Sequence, residues 1–506
     1  MRISVRNPKV AVSVVFVAAM FMNIMDVTIV NVALPTIGRD FHVAAASLSA
    51  VSIGYLVSLA VVIPASGWVG DRLGSKRTLL SAIVLFTVAS MLCGLASSFS
   101  ELVAFRVLQG VGGGLLTPTG LAMLFRAFPP SERVRASSIL TVPTAMAPAL
   151  GPVLGGLLVS DLSWRWVFYV NLPIGAFALA FGLLFLTEHT EPSASRFDLP
   201  GFLLSGVGFA ALMYGVSEGP EKGWGSARIT VAIATGVLLL VAMVFTQLRT
   251  AEPLLHLRLF GDRLFRSSNV VMFLATAGFL GVLYVVSLFY QDGLGLSPLQ
   301  SGLSTFPEAV GVMAGAQIAS RLLYPRLGPR RMMAGGLVGV ATCTALMAQV
   351  SAGTNLWWMR VALFGLGYSM ANVFIPTQAA AFARISPAQT GQASTLFNAQ
   401  RQLGGAVGVA VLSTVLAAVG TGTGGVRVGV GVDLSGYHAA FLTAAGLTLV
   451  GAVAALTVID GDAESTRVRR PASASPAQAS PADNGARTGD GDGPGHSEPS
   501  RDARSA

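Results

Sequence analysis

The 506-residue sequence predicts an all-α integral membrane protein with fourteen spans, built as two six-helix halves plus two additional central transmembrane helices. Three observations predict it: an apolar composition, apolar stretches of membrane-crossing length, and one basic loop that occurs twice. Only 11% of the residues are charged and 53% are hydrophobic, whereas an ordinary soluble domain is about a quarter charged. The 58 glycines suit packed membrane helices, because small residues let backbones approach closely.

A span needs about 20 mainly apolar residues. Residues 1–9, with Arg2, Arg6 and Lys9, precede the first apolar stretch, 10–34. That stretch exceeds the roughly 7–15 residues of a signal-peptide core and has no clear small-residue cleavage site, so it reads as an uncleaved first span. Five more follow at 47–69, 78–97, 102–125, 136–159 and 167–187, completing a first half over 10–187. The polar run from Glu188 to Asp198 opens an insert, 188–267, with spans at 199–216 and 229–248. A second half, 268–459, holds spans at 268–290, 301–323, 332–351, 356–382, 394–419 and 439–459. From 460 to 506 the chain turns to Ser, Pro, Ala, Gly and Asp without apolar periodicity. That composition predicts a disordered tail, because it cannot bury enough apolar surface to offset the entropy of ordering.

The repeat fixes the two halves. Arg72-Leu73-Gly74-Ser75-Lys76-Arg77 returns 254 residues later as Arg326-Leu327-Gly328-Pro329-Arg330-Arg331, and at the same offset Leu102, Arg106 and Gly113 pair with Leu356, Arg360 and Gly367. Two repeats of parallel topology meeting at a central cavity are the plan of an alternating-access transporter.

The net charge of +9 could point to nucleic acid, but the arginines and lysines sit in short runs between apolar segments. Positive residues are retained on the cytoplasmic side during insertion. With the N-terminus inside, only Arg39, Arg165, Lys222, Arg228 and Arg427 fall outside, and both termini are expected in the cytoplasm. The charge is thereby explained without a nucleic-acid partner. Cys93 and Cys343 lie in different apolar segments, so neither a disulfide nor a metal framework is indicated.

Charged residues within spans mark candidate sites, since a charge in the bilayer is costly unless hydrated, paired or neutralised. Asp26 lies in the first span with Asn23 three residues earlier on the same face; a proton or cation site and a structurally bonded carboxylate both fit. Arg106, with Gln109, Gly110 and Gly113 on its face, is either coupled to a titrating carboxylate or part of a structural pair. Glu308, beside Pro307, is a second protonatable candidate or a solvated glutamate near a loop. Arg401 reads as snorkelling to the membrane boundary. Tyr55, Tyr290 and Asn372 join Asn23 and Gln109 as cavity-lining candidates. Gly151-Pro152-Val153-Leu154-Gly155-Gly156 removes helical hydrogen bonds while allowing close packing, which favours a bend or sliding surface. The three lysines, Lys9, Lys76 and Lys222, follow no phosphate-loop glycine pattern, so coupling is expected from an ion gradient without a cofactor. The dispersed polar residues offer no nucleophile constellation, so no enzymatic activity is expected.

Gly67 to Arg77 resembles the signature between spans two and three of the major facilitator superfamily, and Arg106 to Gly113 resembles its span-four signature. Gly151 to Gly156 is similar to the span-five motif of its antiporters, with Ala147 replacing an upstream glycine. The runs from Asp26 to Pro35 and from Trp164 to Pro173 resemble signatures of the fourteen-span drug:proton antiporter branch. The resemblance covers residues 10–459. It implies export of small hydrophobic or cationic compounds, as in multidrug or antibiotic efflux, in exchange for protons at a bacterial cell membrane. It further implies that Gly67, Asp71, Arg72, Gly74, Lys76 and Arg77 form a cytoplasmic gate anchored by Asp71, with Asp26 and Arg106 in proton coupling. Pro325 stands where Asp71 would repeat, so the second gate contact should be weaker. Export of a metabolite made by the cell, such as an antibiotic, amino acid or osmolyte, fits the same residues; a non-transporting membrane sensor is the alternative of a different class. The residues leave oligomeric state open.

Overall fold

The structure is a computed structural model that describes residues 7–43, 47–190, 196–351, 355–419 and 434–466. Arg2, Arg6, Arg427 and the predicted tail beyond 466 lie outside the described residues, as does the Pro152 side chain. Long helices follow one another: α1 (Pro8–Asp40), α2 (Ser49–Leu73), α3 (Ser75–Leu95), α4 (Phe99–Ala127), α5 (Arg133–Asp161), α6 (Trp166–Phe185), α7 (Leu199–Lys222), α8 (Ala227–Arg249), α9 (Arg263–Leu288), α10 (Pro298–Ile318), α11 (Tyr324–Met347), α12 (Leu356–Ala381), α13 (Thr390–Val419) and α14 (Ser435–Ala455). Eleven are long and apolar enough to cross a membrane, and α5, bent by 41°, makes a twelfth. The helices α10 and α11 fall outside that group; Glu308 and the Arg326, Arg330 and Arg331 run dilute their apolar character. Fourteen helices are therefore present, whereas a count of fourteen spans is not established by hydropathy.

Side chains just outside the apolar stretches start the helices by accepting the free N–H groups of the first turn. Asn7 caps α1 through the Lys9 N–H at 3.0 Å, and Ser98 caps α4 through that of Glu101 at 3.2 Å. Ser297 and Gln300 bond each other's backbone N–H reciprocally at the start of α10. Asp262 accepts the Phe265 N–H at 2.8 Å, which starts α9 at Arg263, five residues ahead of the 268 boundary expected from hydropathy. Both basic loops turn on a glycine with positive φ, Gly74 at 100° and Gly328 at 74°, a conformation strained for any side chain.

The repeat seen in sequence is a repeat in packing. In the first half α1 packs on α5, and α2 and α3 pack on α4; in the second, α9 packs on α13, and α10 and α11 pack on α12. Contacts between halves are reciprocal too, α5 on α10 and α13 on α2. The inserted α7 and α8 pair with each other, and α7 docks on both α2 and α13. The outward faces are apolar, with Leu184, Leu238 and Val231 76%, 69% and 62% exposed. A water-facing surface would not sustain such a belt, whereas a bilayer solvates it.

Residues 460–466 depart from the predicted disorder. They form a short helical turn against the second half, held by Asp460 accepting the Arg330 N–H at 2.9 Å, by Asp462 pairing with Arg384 at 3.3 Å and by the hydroxyls of Thr466 and Tyr324 at 2.5 Å. Composition predicted disorder because it counts apolar burial alone; here polar contacts to the body order the segment.

Candidate functional site

A polar cluster sits inside the first half, where α1, α2, α4 and α6 converge. Arg106 and Asp26 form an ion pair at 2.5 Å, with 1% and 0% of their side chains accessible. Gln109, one turn along α4, accepts from the Arg106 guanidinium at 2.7 Å and donates to Asp26 Oδ1 at 2.9 Å. The guanidinium also donates to the Val51 carbonyl and lies over the Tyr55 ring at 4.4 Å. Such a pair survives at depth because each charge has both a counter-charge and further hydrogen bonds; removing one partner would leave the other uncompensated. Asn23 accepts from the Tyr55 hydroxyl. Gly113 leaves room for that contact, since a Cβ there would lie 2.8 Å from Asn23 Oδ1 and 2.9 Å from the Tyr55 oxygen.

Sequence reasoning brought Asn23, Asp26, Tyr55, Arg106 and Gln109 forward, and the fold brings all five together. It missed Asn171 as a site residue. From the break inside α6, Asn171 donates to Asp26 Oδ1 at 2.9 Å and to Ser90 Oγ at 3.0 Å, and Ser90 donates to the Phe168 carbonyl. The signal available was a polar residue in an otherwise apolar window; Ser90 gave none. Tyr290 and Asn372 lie elsewhere. Tyr290 packs beside Phe289 in the second half, and Asn372 donates to the Tyr368 carbonyl on its own helix at 2.8 Å. Neither joins the polar cluster, because position on a helix does not reveal which neighbour faces it.

Glu308 is buried on α10, against α12, where the close approach of Gly367 meets its backbone carbonyl. The solvated alternative does not hold: 7% of the residue is accessible, and no cation pairs with it among the described residues. Arg401 is half-buried in α13, and it too has no ion pair among the described residues. Gly151 and Gly155 press α5 against Thr28 and Ile29 of α1, just past Asp26, whereas Gly156 meets nothing.

The second site joins the halves at the end carrying the basic loops. Asp71 pairs with Arg126 at 2.8 Å, and Arg126 also bonds Ser75 Oγ at 2.9 Å and reaches across to the Pro387 carbonyl at 3.2 Å. The first turn of α13 abuts Asp71 so closely that a Cβ on Gly391 would stand 2.7 Å from its Oδ1. A carboxylate at a helix N-terminus is favoured by the unpaired N–H groups there. Nearby, Ser66 and Thr395 are 3.1 Å apart, Ser394 donates to the Pro118 carbonyl at 2.7 Å, and Phe125 stacks on Phe382 with centroids 4.6 Å apart. Gly67 allows this closure, its Cβ position lying 2.7 Å from Thr395 Oγ1. The rest of the predicted loop acts locally. Glu188 accepts the N–H groups of Lys76 and Arg77, Lys76 Nζ donates to the Leu183 carbonyl, and Arg72 is exposed. The charge partner, Arg126, was legible only as a topology marker.

A bundle of two packed repeats, with a buried ion pair in the first half and a polar seal between the halves, defines a polytopic membrane transporter. The chain belongs to the Major Facilitator Superfamily, whose family model matches residues 16–409. Among curated relatives, a multidrug resistance protein B homolog of Mycobacterium tuberculosis is 34% identical over 408 residues, covering 79% of this chain and 75% of the relative. A puromycin resistance protein of Streptomyces alboniger is 32% identical over 477 residues, covering 92% and 94%. Among solved structures, the human organic anion transporter MFSD10 shares the fold with a TM-score of 0.66 at 17% identity, over 88% of this chain and 99% of the other.

Proposed function

We propose that this protein is a proton-coupled antiporter that exports small hydrophobic or cationic drug-like compounds across the bacterial cell membrane by alternating access. The observation that carries the coupling is the Asp26–Arg106 pair, buried at 0% and 1% accessibility. The relatives named for multidrug and puromycin resistance support the drug-export assignment.

In this reading the end bearing the basic loops faces the cytoplasm, both termini are cytoplasmic, and α10 and α11 cross the membrane with the other twelve helices. The structure then stands with its cytoplasmic side sealed by Asp71, Arg126 and the start of α13. A proton reaching Asp26 from outside removes its charge and weakens its hold on Arg106. Gln109 and Asn171 fix the carboxylate on α4 and α6, so neutralisation loosens a contact shared by four helices and biases the halves toward the inward-open state. There a compound enters and Asp26 gives its proton to the cytoplasm. Restoring the pair favours return, and Glu308 supplies a second proton-binding carboxylate in the other half.

The test is compound-induced proton release in liposomes, comparing the intact protein with Asp26→Asn across a panel of compounds. The variant is expected to insert normally and to lose proton-driven export. Undiminished coupled transport by Asp26→Asn would falsify the assignment of Asp26.

A further inference from the structure

The interface between the halves holds two sites related by the 254-residue repeat. In the first, Ser66, Gly67, Gly70 and Asp71 line a space of about 10 Å³, closed by α13. Their repeat counterparts, Ser320, Arg321, Tyr324 and Pro325, line the second, together with Ser131, Val134, Arg135 and Ser138 from the start of α5. The second site is a cavity of about 530 Å³. Three of these four positions differ between the repeats, with tyrosine in place of Gly70. Proline replaces the Asp71 carboxylate, and arginine replaces Gly67, whose missing side chain lets the first site close.

The consequence is electrostatic. Arg135 of the first half and Arg321 of the second line one cavity; both residues are exposed, and neither side chain has an ion pair or hydrogen bond among the described residues. Nearby acids are engaged elsewhere: Glu132 with Lys9 at 2.7 Å, Asp462 and Asp262 with Arg384 at 3.3 and 3.4 Å, and Asp460 with the Arg330 N–H at 2.9 Å. Closing this end of the molecule thus brings together two like charges around a space where the other repeat keeps an anion. Ser131 adds a hydroxyl and Gln317 an amide, whereas the hydroxyls of Ser138 and Ser320 donate to the carbonyls of Arg135 and Ala316 on their own helical segments. Guanidinium groups recognise phosphate oxygens bidentately, and a volume of several hundred Å³ accommodates such a headgroup.

We propose that this cavity is a phosphate-type anion site occupied by the headgroup of an anionic phospholipid, which bridges Arg135 and Arg321 and favours the state closed at this end. The lipid source is preferred over a free ion because exposed apolar residues stand next in sequence to the cavity-lining residues along 317–327. Ile318, Leu322 and Leu327, each one or two residues from a cavity-lining residue, are 39%, 51% and 37% exposed and offer acyl chains apolar surface. The bound phosphate replaces, from outside the chain, the carboxylate that Pro325 removed.

The test measures thermal unfolding of the detergent-purified full chain titrated with phosphatidylglycerol, phosphatidylcholine or inorganic phosphate. The variants are Arg135→Ala, Arg321→Ala and, as a control for surface charge, Arg249→Ala. Phosphatidylglycerol is expected to raise the midpoint in the intact chain and in Arg249→Ala, with an effect that weakens as salt rises. Each cavity variant should need about tenfold more lipid for half the shift, the loss of one charge-assisted contact. Half-saturation in both cavity variants at the same lipid concentration as in the intact chain, or protection by phosphatidylcholine equal to that by phosphatidylglycerol, overturns the site. Equal protection by inorganic phosphate at matched concentration overturns the lipid source and leaves a free-anion site. The readout requires no transport, so failure here leaves the antiport reading standing, and failure of antiport leaves this site standing.

Discussion

At the scale of single residues, the buried cluster around Asp26 is held by donors of unequal visibility. Asp26 and Arg106 were legible because an ionised side chain inside an apolar stretch demands a partner. Asn171 was not, because an asparagine at a helix start has many ordinary roles, and only the fold aims its amide at Asp26 Oδ1. Asn171→Ala removes one of the hydrogen bonds to a buried carboxylate, a loss of about 1–3 kcal/mol. We expect a lower unfolding midpoint and a displaced pH profile of coupled transport, read from stopped-flow transport assays in liposomes. An unmoved pH profile would show that Asn171 contributes packing alone. Arg106→Ala strands Asp26 without its counter-charge, and should abolish coupling while the protein still inserts; full gradient-driven export by that variant would contradict it.

At the scale of elements, helix positions were legible from apolar length, and their ends from caps such as Ser98 and Asp262. Which helix faces which was not. The seal at the basic end depends on α2 meeting the first turn of α13, 320 residues away in sequence between Asp71 and Gly391. Gly67→Ala places a methyl 2.7 Å from Thr395 Oγ1 and 3.2 Å from the Gly391 carbonyl, and the carbonyl cannot retreat without moving α13. That variant should populate the state open at this end. Its expected signature is faster modification of a cysteine introduced near the seal by a reagent applied from that side, with reduced transport. Asp71→Asn removes the charge held by Arg126 and the start of α13, and should impair transport. Pro325→Asp should leave transport largely intact, because the second site is open rather than sealed.

At the scale of the whole molecule, the repeat extends from sequence into packing and then breaks at function. Both halves pair their helices in the same order, yet among the described residues the buried carboxylate–guanidinium pair belongs to the first half: Leu280 stands where Asp26 would repeat, and Arg360, the counterpart of Arg106, lies over the Trp357 ring. The segment after the sixth helix of each half returns an acid to its own basic loop, Glu188 to the Lys76 N–H and Asp460 to the Arg330 N–H; the two N–H groups are related by the same 254 residues, the two acids are not. A chain ending at Thr466 should therefore unfold at the same temperature as the full protein and transport normally. A chain ending at Ile459 loses the contacts of Asp460, Asp462 and Thr466 and should unfold several degrees lower. Equal midpoints for the two truncations would show that the turn over 460–466 is held without contributing.

By itself the sequence determined the solvent, the helices, the twofold repeat and the membership in a transporter class, because each rests on local composition or on comparison of the chain with itself. It also exposed Asp26 and Arg106, whose charge conflicts with their surroundings wherever they point. Only the tertiary structure decided that these two meet, that Asn171 joins them, that Glu308 is buried without a counter-charge, and that Asp71 is sealed by α13 while its repeat counterpart opens into a basic cavity. Those outcomes depend on helix rotation and on the spacing between halves. Close approaches at a few glycines fix both quantities, and an apolar pattern on one helix carries no record of its neighbour.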